Sequence, residues 1–124
     1  MKCNIGDIVL VNEFEYPDGR KGTLHSFVVM DIDVDEFTLI NLDYLCFLIS
    51  SNTKKNNTNN PNFPYNEPIE PTEENGLLES SHVKCDFLYE KIKENKIIMH
   101  VGTVNPEQYA RFLELYNEFL EYQE

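Results

Sequence analysis

Apolar residues occur in short runs along the first half of the chain, each bounded by polar or turn-forming residues. The runs are rich in β-branched and aromatic residues and read IVLVNEF (8–14), LHSFVVMDI (24–32), FTLINL (37–42) and YLCFLIS (44–50). The turn-forming stretch YPDGRKG (16–22) separates the first two runs, and the acidic DVDE separates the second from the third. This pattern predicts antiparallel strands joined by turns, with 37–50 forming either one long bent strand or two.

The second half opens with a polar segment. Between Ser51 and Gly76 the composition shifts to Asn, Pro, Thr and Glu, and five asparagines and two lysines fall within 51–60. Such a composition buries too little apolar surface to order itself, which predicts a long polar loop at about 51–76. Strand character returns in SHVKCDFLYEKI (81–92), which also allows a helical turn, and in KIIMHVGTV (96–104).

The last segment is predicted to be a helix. Asn105 is a typical N-cap, Pro106 suits the first helical position, and Gln108 completes a capping-box spacing. An apolar stripe follows at spacings of three and four, suited to core or dimer packing: Tyr109, Phe112, Leu113, Tyr116, Phe119 and Leu120. The order of elements indicates a mainly β protein, a small curved antiparallel sheet closed on itself with a C-terminal helix at one end.

Composition adds limits to this picture. A chain of 124 residues that is 41% hydrophobic is expected to form a single domain over 1–124. It has neither an apolar run near 18 residues nor a signal-peptide pattern, so we expect a cytoplasmic protein with no membrane span. The cysteines, Cys3, Cys46 and Cys85, are odd in number and lack CxxC spacing. This pattern indicates reduced thiols and argues against a zinc site, so no metal or other cofactor is predicted.

The net charge of −12 disfavours a nucleic-acid partner, because phosphate binding needs positive potential. Four of the ten basic residues nevertheless sit in two predicted loops, Arg20 and Lys21 in the first, Lys54 and Lys55 in the second. Since salt screens exposed charges beyond about 8 Å, a local basic patch can outweigh a distant acidic face.

His25 lies where the basic turn leads into the second strand. One interpretation is structural, because a histidine at a strand end is commonly satisfied by water or a backbone carbonyl. The other is chemical, because imidazole changes its protonation near neutral pH and can act as an acid or a base. No phosphate-binding loop, dinucleotide-binding, HExxH or GxSxG pattern occurs in the sequence.

Several segments together resemble one protein family. GDIVLV (6–11) resembles the opening of the MazF/PemK family of bacterial toxins, and 22–30 is similar to that family's G-x-R-P-x-V-V-L segment. LISS (48–51) resembles its P-I-T-S segment. SHVKCD (81–86) and VGTV (101–104), followed by the predicted helix, are similar to its S-x-V-x-x-D-Q-i and i-G-x-l segments. The resemblance covers nearly the whole chain apart from the polar loop.

The resemblance implies an SH3-like barrel of antiparallel strands that forms a homodimer. Members of the family bind single-stranded messenger RNA in a groove and cut it without a metal, and a cognate antitoxin protein blocks that groove. An arginine and a threonine or serine carry the chemistry. Here the arginine position falls on His25, the following proline on Ser26, and the threonine position on Ser50, with Ser51 as the alternative register.

Two hypotheses follow. In the first, the chain is a toxin-like, metal-independent endoribonuclease with Ser50 on the phosphate, His25 as acid or base, and a steering patch formed by Arg20, Lys21, Lys54 and Lys55. In the second, it is a catalytically degenerate barrel that binds a protein partner or nucleic acid without cleavage. The second is open because arginine supplies permanent charge and bidentate phosphate contact, neither of which imidazole duplicates.

Overall fold

The structure is a computed structural model that describes residues 2–53 and 61–123. Lys54 and Lys55 of the predicted steering patch lie outside the described residues. The elements are β1 (Asp7–Glu15), β2 (Lys21–Val34), β3 (Asn41–Ser51), β4 (Asn66–Ile69), β5 (Ser81–Lys84), β6 (Tyr89–Ile92), β7 (Ile97–Thr103) and α1 (Pro106–Tyr122), with one turn of 3₁₀ helix at Glu94–Lys96.

The strands form one antiparallel sheet, in the order β4-β5-β3-β2-β1-β7, with β6 paired to the other end of β3. The mainly antiparallel fold with one C-terminal helix is confirmed. The stretch predicted over 81–92 divides into β5 and β6. The stretch 37–50 forms a turn followed by one strand, β3. The turn forms because the Asp35 carboxylate accepts hydrogen bonds from the backbone N–H groups of Phe37 and Thr38.

Two core clusters lie on opposite faces of the sheet, as the alternation of side chains along each strand requires. The first, which we call the inner cluster, includes Val9, Val11, Phe14, Phe27, Val29, Tyr44, Cys46, Leu48, Tyr89 and Ile92. The second, the helix-side cluster, includes Ile8, Val28, Met30, Phe47, Ile49, Val83, Val104, Phe112 and Leu115. Odd- and even-numbered residues of one strand therefore face opposite sides of the sheet, and this alternation also decides which polar side chains can meet.

The helix begins as the sequence predicts. The Asn105 side chain accepts a hydrogen bond from the Gln108 N–H at 2.8 Å, and the Gln108 side chain accepts one from the Asn105 N–H at 3.2 Å. Phe112 and Leu115 are the buried residues of α1. Leu115 was not in the predicted stripe, whereas Leu113 and Leu120 of that stripe are 37% and 42% exposed. The helix is thus rotated slightly from the predicted contact, and dimer packing by its exposed residues stays a prediction.

The predicted polar loop at about 51–76 contains packed structure after residue 60. Strand β4 pairs with β5, and its two end residues, Asn66 and Ile69, are buried. Asn75 is also buried, and its side chain makes three hydrogen bonds: its Nδ2 donates to the Glu70 carbonyl, and its Oδ1 accepts from two backbone N–H groups. Polar composition misled the prediction here, because buried asparagines satisfy backbone groups and need little apolar surface.

The segment around Asn75 packs tightly on β7. The Glu74 carbonyl accepts a hydrogen bond from the Thr103 N–H at 2.9 Å. Gly76 has φ +67°, and a Cβ at that position would lie 2.1 Å from the carbonyl oxygen of Val101. Only glycine fits both the dihedral angle and the close approach. Within the described part of the chain, no helix is long and apolar enough to cross a membrane.

Candidate functional site

A cleft of about 560 Å³ opens along the edges of β2 and β3. His25, Ser50 and Ser51, the three residues predicted to carry chemistry, all line it. Much of the remaining lining is apolar and includes Leu10, Leu24, Leu77, Leu78, Met99 and Val101. Residues far apart in sequence therefore meet in one place because β2 and β3 are direct neighbours in the sheet.

The strand register sets the order of polar residues across this part of the sheet. Ser26 of β2 pairs with Ile49 of β3, so His25 lies next to Ser50 one position further along. Ser50 pairs in turn with His82 of β5. All three belong to the face that carries the inner cluster, since Leu48 on β3 and Phe27 on β2 share their parity. The result is a row, His25–Ser50–His82, across three neighbouring strands.

The imidazole of His25 is half-buried and oriented by its neighbours. Its Nδ1 donates to the Thr23 carbonyl oxygen at 2.9 Å, which places the proton of the neutral ring on Nδ1. The ring packs edge-on against Phe14, with 5.5 Å between ring centroids. Among the described residues Nε2 has no hydrogen-bond partner, so this nitrogen is left for a ligand.

The two serines present their hydroxyls to different sides of β3, because consecutive residues of a strand alternate. Ser50 is half-buried and Ser51 is exposed. Neither hydroxyl forms a hydrogen bond within residues 2–53 and 61–123. Both residues line the cleft, but their hydroxyls lie on opposite faces of the strand, and Ser50 shares its face with the two histidines.

The basic residues of the predicted steering patch lie elsewhere where they are described. The Arg20 Nε donates to the Asp18 carboxylate at 2.7 Å, and its guanidinium lies over the Tyr16 ring. Lys21 faces Glu15 at 3.8 Å and lines a separate cavity of about 710 Å³ that also holds three other lysines. The described lining of the cleft contains no lysine or arginine, and it contains one carboxylate, that of Glu79.

Sequence reasoning missed a polar network beside the cleft. The His82 Nδ1 donates to the Asn52 Oδ1 at 2.7 Å, and the Asn52 Nδ2 donates to the Ser80 hydroxyl at 3.0 Å. The Ser80 hydroxyl donates to the Glu70 carboxylate at 2.7 Å. The Glu70 carboxylate can only accept a hydrogen bond, and this fixes which group is the donor and which the acceptor at each step of the network. The network thus fixes the neutral His82 ring with its proton on Nδ1.

His82 is fully buried, and its Nε2 has no hydrogen-bond partner among the described residues. Burial lowers the pKa of His82 to about 4, and the nearby Lys84 ammonium lowers it further in the same direction. The ring is therefore neutral at ordinary pH, and Nε2 is an acceptor. The signal available in the sequence was a histidine between Ser81 and Val83 in a predicted strand. The residues of its network, Asn52, Ser80 and Glu70, cannot be identified from that segment.

The cysteines contribute no nucleophile to the cleft. Cys3, Cys46 and Cys85 are buried as free thiols. Burial raises the pKa of all three, and most strongly that of Cys46 and Cys85. Because the thiolate is the reactive form, these side chains act as small core residues.

No protein-family profile matches the sequence, and no curated protein matches it. Solved structures do match. The Mycobacterium tuberculosis toxin MazF-mt6 aligns with a TM-score of 0.62, covering 93% of this chain and 96% of that chain at 15% sequence identity. The chain therefore has the MazF/PemK-type fold.

Proposed function

We propose that the protein is a metal-independent endoribonuclease that cuts single-stranded RNA as the toxin of a bacterial toxin–antitoxin pair. The observation that carries the proposal is the meeting of His25, Ser50 and Ser51 in one cleft of a toxin-type fold. The two serines come from the end of β3 and the histidine from the start of β2. The antiparallel pairing of β2 with β3 brings these two strand ends next to each other.

The proposed reaction uses the RNA's own 2′-oxygen. The 2′-hydroxyl loses its proton, its oxygen bonds to phosphorus, the bond from phosphorus to the 5′-oxygen breaks, and that oxygen gains a proton. The Nε2 of His25 takes the first proton or gives the second. Ser50, which shares its face with His25, contacts the ribose-phosphate at the cut, and Ser51 is the alternative in the other register. Of the predicted steering residues, Lys54 and Lys55 follow the cleft residue Thr53 in the sequence and are proposed to supply the steering charge, whereas Arg20 and Lys21 lie away from the cleft.

Incubation of the purified protein with a long RNA in EDTA tests this proposal. Cut ends bearing a 2′,3′-cyclic phosphate and a 5′-hydroxyl are expected, and His25→Ala should slow cutting by about 100-fold. His100→Ala is the matched control, because that histidine lies on β7 outside the cleft lining and pairs with Asp7. His25→Arg should keep activity and flatten the pH profile, because arginine stays charged. Intact RNA, or equal rates for wild type and His25→Ala, would contradict the proposal.

A second candidate function is binding without cleavage, and the lining of the cleft favours it. Leu24, Leu78 and Met99 are 56%, 94% and 49% exposed along this cleft. Together with Glu79 they suit an apolar segment of a protein partner better than they suit a polyanion. Under the first proposal, the same surface is where the cognate antitoxin would bind.

Growth assays in bacteria separate the two functions. If the protein cuts RNA, its induction should arrest growth, and His25→Ala should abolish the arrest at equal protein level. If the protein only binds a partner, the phenotypes of wild type and His25→Ala should be equal. In that case Leu78→Ser together with Met99→Ser should weaken partner binding, whereas the same changes at Phe37 and Leu39 of the distant β2–β3 turn should not.

A further inference from the structure

His82 combines two features that seldom occur together. It is fully buried, and one of its ring nitrogens has no hydrogen-bond partner among the described residues. Buried polar atoms are paired in the large majority of cases, since an unmade hydrogen bond there costs stability. The other nitrogen, in contrast, is held by a network through Asn52 and Ser80 to Glu70. The ring is thus fixed in place with its acceptor atom unused.

The hydroxyl of Ser50 is the donor best placed to use that acceptor. Ser50 and His82 are direct partners in the β3–β5 pairing, so their side chains leave the same face. Side chains in such a pair have Cβ atoms about 4.5–5.5 Å apart, within reach of each other. On the far side of His82 the paired residue is Pro68 of β4, which has no donor to offer. The Ser50 hydroxyl has no hydrogen bond to another group among the described residues.

We propose that His82 is a positioning residue for Ser50: its Nε2 accepts a hydrogen bond from the Ser50 hydroxyl, so that the serine oxygen meets single-stranded RNA as an acceptor. The bond requires a Ser50 rotamer that turns the hydroxyl towards the Nε2 of His82. With its proton committed to His82, the oxygen cannot donate to a phosphate oxygen, which is itself only an acceptor. It can accept from the ribose 2′-hydroxyl, the group that distinguishes RNA from DNA. The ribose contact rests on the proposed function.

The hydrogen bond is tested by long-range ¹H–¹⁵N NMR of the histidine rings, without reference to any activity. We expect His82 with its proton on Nδ1 and a Nε2 resonance that moves in Ser50→Ala. Ser51→Ala is the matched control, because Ser51 is the next residue of the same strand on the opposite face, and it should leave that resonance in place. An Nε2 resonance that is identical in wild type and Ser50→Ala overturns the inference.

The ribose contact is tested with two single-stranded oligonucleotides of one sequence, one carrying 2′-amino groups and the other 2′-fluoro groups. Only the first offers a donor at the 2′ position. Wild type should bind the amino form roughly 2- to 10-fold more tightly, the scale of one neutral hydrogen bond. Ser50→Ala should bind the two equally. A preference that is the same in both proteins, or no binding of either oligonucleotide, overturns the ribose contact.

A double-mutant cycle on RNA cutting distinguishes positioning from a purely structural role. In His82→Asn the amide nitrogen lies near the Nδ1 position and still donates to Asn52, whereas the Nε2 acceptor is gone. If His82 acts through Ser50, the double variant loses no more activity than Ser50→Ala alone. Losses that multiply would overturn the inference. Uncut RNA combined with a moving Nε2 resonance would instead contradict the proposed function and support the hydrogen bond.

Discussion

His82 should make the folded protein sensitive to mild acid, and replacing it should remove that sensitivity. Burial lowers the pKa of His82 to about 4, whereas an unfolded histidine titrates near 6.5. Between these values the unfolded chain binds a proton that the folded chain does not. The free energy of unfolding therefore rises with pH in this window. The contribution of His82 is fully present above about pH 6.5 and is lost as the pH falls towards 4.

The magnitude follows from the two pKa values. Each unit of difference in pKa corresponds to about 1.4 kcal/mol, so between pH 7 and pH 4.5 the neutral, buried ring accounts for a loss of roughly 2–3 kcal/mol. The charged groups around the ring act in both directions: the Lys84 ammonium disfavours the imidazolium, and the Glu70 carboxylate lies at the far end of the hydrogen-bonded network. A loss of this size is a large part of the stability of a small protein.

Urea unfolding at several pH values between 7 and 4.5 measures the effect. The acidic residues also titrate in this range, but they are common to wild type and His82→Gln, so the difference between the two slopes isolates His82. The variant is expected to be less stable at pH 7 and to lose roughly 2–3 kcal/mol less on acidification. Parallel curves for wild type and His82→Gln would refute this account of the buried ring.

Three further predictions concern stability and assembly. Asn75→Ala should lower the free energy of unfolding by about 1–3 kcal/mol in urea, because two backbone N–H groups and the Glu70 carbonyl lose their partner; Asn12→Ala at an exposed site should not. Gly22→Ala should cost about 1–3 kcal/mol, since its Cβ would lie 2.2 Å from the ring of Phe14, which also supports His25; full stability would contradict this packing. Light scattering at micromolar concentration should give twice the chain mass of 14.5 kDa, and the single-chain mass would contradict a homodimer.

The sequence predicts local structure well where one segment contains all the required information. The capping box at Asn105 and Gln108 depends on four consecutive residues, and the alternating runs depend on the period of a strand. The segment after residue 60 fails for the opposite reason. Asn66 and Asn75 are buried because β5 and β7 cover them, and composition carries no record of a neighbour that is remote in sequence.

The candidate site was predictable only as far as the resemblance extended. The resemblance selected His25, Ser50 and Ser51 as candidate site residues, and all three line one cleft in the structure. The sequence could not predict the role of His82, because its hydrogen bond to Asn52 and its position opposite Ser50 both depend on the β3–β5 register. A register is a long-range property, and a shift of one residue would turn every side chain to the other face.

Under the proposed function, the row His25–Ser50–His82 also bears on how an acidic protein would handle RNA. A fixed arginine would give the phosphate a charge-assisted contact, roughly twice as strong as a neutral hydrogen bond. In the described cleft that contact is replaced by hydroxyls and an imidazole, and the nearest carboxylate in the lining, Glu79, acts against anions. Affinity for phosphate is therefore expected to be weak, and selectivity has to come from groups that are neutral and directional. His82 is a buried acceptor that solvent does not reach, and the proposed hydrogen bond by which it would align the Ser50 hydroxyl suits that requirement.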